Sequence, residues 1–228
     1  MGNEFEILKK IRSGSVSEQE LLDIYELHKN SYRVLFFLAQ HPRFPERLSL
    51  NIIPDLFPMD LLRVIKNTRT RPYIRKKAEL VFTARYKKFP LGEKLSYMKI
   101  APLALLEYFI EEEDKRVLKV ILENGYCTEG LLIKFINRRK PRYDFYEALE
   151  ATEWYKRPMV AESVALDEQT PIKMLLTVIP YLNRRQLKTL YKRKDTHEIV
   201  KKNILYYIDK RGRGENGSPN PVKILRVK

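Results

Sequence analysis

Apolar residues recur at steps of three and four along almost the whole chain. Leu21, Leu22, Ile24, Tyr25 and His28 set the pattern, and Leu35, Leu38 and Ala39 repeat it. So do Leu61, Leu62 and Ile65, then Leu103, Leu106 and Ile110, then Leu131, Leu132, Phe135 and Ile136. This is the period of a helix with one buried stripe. Residues 73–87 predict a charged-faced helix with Ile74, Ala78, Val81 and Phe82 inward. No convincing run alternates as a strand; Val200, Ile204, Tyr207 and Ile208 fit a helix better than Tyr206-Tyr207 fits a strand. Ser17 to Glu20 reads as a capping box opening a helix. Prolines from Pro42 to Pro180 cut the chain into short segments, since proline suits a first turn and breaks an interior.

The segments return with a period. A basic or polar residue stands beside an apolar helix start at Val34, Ile74, Val117, Val160 and Val200, in steps of 40, 43, 43 and 40 residues. About ten residues after each of the first four a second start appears, at Phe44-Pro45, Phe89-Pro90, Thr128-Glu129 and Thr170-Pro171. A period near 41 lies within the roughly 40–47 of solenoid repeats with two or three helices. Units this short bury their apolar face only against neighbours. Leu61, Leu106, Leu132 and Leu175 are expected to face inward.

Three stretches carry a family likeness: Pro72 to Ala78, Asp114 to Lys119 and Asp195 to Lys201. On these the chain resembles the HEAT/armadillo-like helical repeat proteins. The resemblance implies an all-α, right-handed α-solenoid of four to five repeats, used as a binding scaffold. Leu166 to Pro171 also resembles the variant leucine-rich helical repeats, whose period is shorter. The expected organisation is a helical cap over 1–31, the repeats over 32–210 and a basic, flexible tail over 211–228, in which 222–227 could dock.

Composition narrows the chemistry. Of 228 residues, 44% are hydrophobic and 32% charged, which excludes wholesale disorder. One cysteine, Cys127, excludes an intramolecular disulfide framework and cysteine-rich zinc or iron–sulfur sites. No apolar run reaches the roughly 18 residues of a membrane helix, and the start lacks the order of a secretory signal, so a cytoplasmic location is expected. The net charge is +15. It is skewed, with −2 over residues 1–60 and +10 over residues 181–228. Polyanions are therefore the expected partners.

The basic residues form two patterns. Arg69 and Arg71, Arg138 and Arg139, and Arg184 and Arg185 each follow an asparagine after an apolar stretch. A solenoid would align such turns along one edge, although a C-capping asparagine with cations at a helix C-terminus explains much of the pattern. Arg184, Lys188 and Lys192 then stand at i, i+4 and i+8 beside Arg185, Arg193 and Lys194, with no acid to offset them. Tyr181, Tyr191, Tyr206 and Tyr207 are interleaved there and are expected mainly in the inter-helix core. The acidic run Glu111 to Asp114, and the face of Asp144, Glu147, Glu150 and Glu153, read as solvated.

No phosphate-loop, dinucleotide, zinc-protease or serine-hydrolase motif occurs, and no cofactor or metal is expected. The favoured reading is a non-catalytic scaffold offering its basic surface to a protein partner with an acidic surface. The alternative is nucleic-acid binding through residues 181–213. A remote third reading is a HEAT-like alkylpurine DNA glycosylase, a likeness of size, charge and helicity, with Glu153, Trp154 and Tyr155 as the local candidates.

Overall fold

The computed structural model describes residues 2–13, 15–139 and 141–212; the proposed tail beyond Gly212 lies outside the described residues. Among them are fifteen α-helices and no strand. Helices α1 (Gly2–Ser13) and α2 (Glu18–Leu27) both pack on α3. The interval from Val34 holds α3 (Tyr32–Gln40), α4 (Glu46–Ile52) and α5 (Pro58–Lys66). The next holds α6 (Pro72–Tyr86), α7 (Leu91–Ile100) and α8 (Leu103–Phe109). Then come α9 (Lys115–Glu123), α10 (Glu129–Arg139) and α11 (Tyr143–Ala151), followed by α12 (Pro158–Leu166), α13 (Ile172–Val178) and α14 (Arg184–Lys192). Helix α15 (Glu198–Gly212) opens a fifth interval.

The periodic positions share one local setting. Val34, Ile74, Val117, Val160 and Val200 are each the third residue of their helix, and each is fully buried. A β-branched side chain is stiff in a helix, so this position fixes which face turns inward. Leu61, Leu106 and Leu132 are fully buried as expected, but Leu175 is only half-buried. Met174 and Val178, one turn apart, are the buried residues of α13. Val81 is likewise half-buried, and Tyr86 joins Ile74, Ala78 and Phe82 on the inner face of α6.

The helix ends follow from the sequence. Pro58, Pro72 and Pro158 open their helices at the first position, where a missing N–H costs nothing. Ser17 caps α2 in a complete capping box with Glu20, which also pairs with Lys10 of α1 at 2.6 Å. That pair and the cap hold the Glu20 carboxyl at about 2. His41, Asn67, Asn124 and Asp167 all end helices through one turn. Each side chain accepts the N–H two residues on, from Arg43, Arg69, Tyr126 and Gln169 at 2.7–3.3 Å. Each carbonyl accepts the N–H three residues on, from Phe44, Thr70, Cys127 and Thr170, all buried. The short polar side chain thus satisfies amides that the ended helix cannot.

Compactness divides the chain at Tyr108 and Phe109. In the first unit α3 packs on α4, α4 on α6 and α5 on α6, around Leu38, Phe44, Ile53, Leu61 and Phe82. The Tyr32 hydroxyl braces this unit, donating to Asp60 at 2.6 Å and accepting the Phe57 N–H at 2.9 Å. In the second unit α9 packs on α11, α10 on α12, α12 on α13 and α14, and α15 on α13 and α14. Val117, Leu132, Leu149, Val164 and Leu187 form its core. Tyr146 donates to Asp167 there and accepts from Thr170. No helix among the described residues is long and apolar enough to cross a membrane.

Candidate polyanion-binding face

Helix α14 begins on a second capping box. Asn183 Oδ1 accepts the Gln186 N–H at 2.9 Å, and Gln186 Oε1 accepts the Asn183 N–H at 2.7 Å. Leu187 and Leu190 are buried and seat the helix against its neighbours. Arg184, Arg185, Lys188 and Lys192 are exposed. At about 100° per residue they share one arc of about 100°, turned away from the buried leucines. They line an open depression of about 500 Å³ with Thr189.

The electrostatics of this face run against helix stability. There is no acid on α14, and Arg184 and Arg185 occupy its first turn. That turn carries the positive end of the helix dipole, where cations are disfavoured. The pairs Arg184/Lys188 and Lys188/Lys192 each cost a helix about 0.2–0.5 kcal/mol. Among the described residues no carboxylate pairs with any of the four. The acidic face of α11 is the opposite case. Asp144 pairs with Arg142 and Glu147 with Lys115, both at 3.7 Å, while Glu150 meets Lys173 at 2.7 Å. Just beyond it Glu153 meets Lys156 at 2.5 Å. The acids of α11 are thus neutralised within the unit, and the exposed cations of α14 are not.

The three basic turns are not equivalent. Asn67 is the C-cap of α5 and Asn137 lies inside α10, whereas Asn183 opens α14. The expectation of C-capping asparagines therefore holds at Asn67 alone: Asn137 lies within its helix, and Asn183, with Gln186 three residues on, completes an N-terminal box. Arg69 is exposed, and Arg138 is exposed near the end of α10. The side chain of Arg139 lies outside the described residues.

Arg71 and Arg193 have internal work. The Arg71 guanidinium donates to the Pro42 carbonyl just past α3 and lies 3.9 Å from Glu46. Arg193 donates to Ala165 O at 3.0 Å and Leu166 O at 2.8 Å, at the end of α12, and pairs with Asp195. Arg71 thus ties down the turn just beyond a helix, whereas Arg193 caps the C-terminus of a helix about 28 residues earlier. Trp154 acts in the same way: its Nε1–H donates to Leu122 O at 2.8 Å at the end of α9, and Arg157 covers its ring at 4.7 Å. These long-range clasps have no signature in the local sequence.

The aromatic residues divide. Tyr181 is half-buried and meets Tyr155 edge-on at 5.5 Å. Tyr191 and Tyr206 are exposed, against the expectation of a core role. Tyr191 falls at the edge of the basic arc because it is three residues past Lys188 and one before Lys192. Cys127 is buried, and burial pushes its thiol up to about 11, the setting of a small core residue rather than a reactive thiolate. Among the described residues no three His, Cys, Asp or Glu side chains gather as a metal site. The chain matches no protein-family model, no curated protein and no solved structure.

Proposed function

We propose that the protein is a non-catalytic binding scaffold built as a right-handed helical-repeat superhelix, and that the outer face of α14 is its recognition surface for a polyanion. The three-helix intervals, each opening on an equivalent buried residue, support the repeat reading. One observation carries the binding reading: four exposed cations share an arc, have no acid partner and sit partly on a helix terminus that disfavours them. The stability that this face costs its own helix is recovered once a partner supplies the missing negative charge. Phosphates or carboxylates held there would relieve the repulsion and lie near the positive end of the helix dipole.

Retention on immobilised heparin tests this. The triple variant Arg184→Ala, Lys188→Ala, Lys192→Ala should elute at clearly lower salt than the parent, with its helical circular dichroism unchanged. Unchanged elution would overturn the assignment of the face.

A further inference from the structure

We infer that the polyanion taken by α14 is a single-stranded nucleic acid, with Tyr191 stacking on an unpaired base; the inference rests on the polyanion reading of this face. Three observations point beyond charge alone. Arg184, Lys188 and Lys192 form a row that winds gently around the helix, one cation about every 6 Å along its axis. Such a row suits a linear chain of regularly repeated charges better than the scattered carboxylates of a protein surface. The cations at the helix start are arginines, whose planar fork matches a phosphate.

The third observation is Tyr191 itself. The residue is 38% exposed at the edge of the cationic arc, and its side chain has no hydrogen-bond or ring partner among the described residues. An aromatic face beside a row of cations is the arrangement that binds backbone and base together. In a duplex the base faces are already stacked on one another. A single strand leaves them free for Tyr191. Stacking of this kind tolerates any base, and the phosphate contacts fix position without reading sequence, so little sequence preference is expected.

Fluorescence anisotropy with a labelled twelve-residue oligothymidylate is the test, run beside an abasic strand of the same length and a duplex. The parent should bind oligothymidylate more tightly than either. Tyr191→Ala should weaken oligothymidylate binding about 5- to 100-fold and leave the abasic strand unaffected, while Tyr191→Phe should retain it. The α14 triple variant should weaken both strands and lower the log–log salt slope by up to about 2, at roughly 0.7 per phosphate contact. Oligouridylate in the same titration separates RNA from DNA, and binding of either supports the inference. If Tyr191→Ala has no effect while the triple variant still weakens binding, the single-strand inference fails and the polyanion reading stands. If the triple variant changes binding to no strand and to no heparin, both fail.

Discussion

At the scale of single residues, side chains of one type have opposite settings. Arg193 and Arg184 lie nine positions apart, yet Arg193 is 21% exposed and bound to two carbonyls and a carboxylate, while Arg184 faces solvent unpartnered. A hydrogen bond from a charged donor contributes about 1.5–3 kcal/mol. Arg193→Met should therefore lower unfolding free energy in urea by about that amount, whereas Arg184→Ala should change it by no more than about 0.5 kcal/mol. Equal losses would contradict the division between clasp and free face. His41 is a second case. It is buried, its Nδ1 accepts the Arg43 N–H, and its Nε2 has no partner among the described residues. Burial, then Arg43 and Arg71, push its pKa below the usual 6.5. The unfolded chain then binds the proton first as pH falls, so stability present above about 6.5 is lost on acidification toward the folded value. The melting temperature should fall between pH 7.5 and 5.5, and His41→Gln should flatten that fall.

At the scale of elements, much was legible because local rules decide it. Ser17 and Glu20 announced the start of α2, and the apolar positions from Val34 to Val200 announced five helix starts that the structure places in one register. The reading went astray where tertiary context decides. Asn183 looked like the end of a helix because an apolar stretch precedes it, but the short turn Ile179–Tyr181 and Leu182 intervene, and Gln186 makes it a beginning. The cationic row on α14 was visible as a spacing. The absence of partners became visible only once the acids of α11 were seen to be matched by Lys115, Arg142 and Lys173. The same cap separates stability from binding. Asn183→Ala should cost about 1 kcal/mol, and Asn183→Asp should leave the cap intact. The aspartate should nonetheless weaken heparin retention, by placing a negative charge beside Arg184. If retention rose with Asn183→Asp, the face would not be an anion site.

At the scale of the whole molecule, the repeat proposal has a dimension attached. A compact 228-residue body would have a radius of gyration of about 17 Å. Stacked repeats in a superhelix should exceed that by several ångströms, and small-angle scattering measures it directly. A value at the compact limit would sink the superhelix while leaving the helices and the α14 face as described.

The clasps bear on how the chain reaches its structure. Arg71 reaches back 29 residues to Pro42, Trp154 reaches 32 to Leu122 and Arg193 reaches 28 to Ala165. Tyr32 reaches forward 28 residues to Asp60. Each closes a loop of similar, modest length, and loop-closure entropy rises only slowly with length. Nothing in these bonds requires the two ends of the chain to find one another. Each can form as soon as the next helices have emerged, so structure can grow stepwise during synthesis, each new arginine or tryptophan locking the helix made about thirty residues before it. Folding of this kind belongs with the rapid, low-contact-order helical proteins.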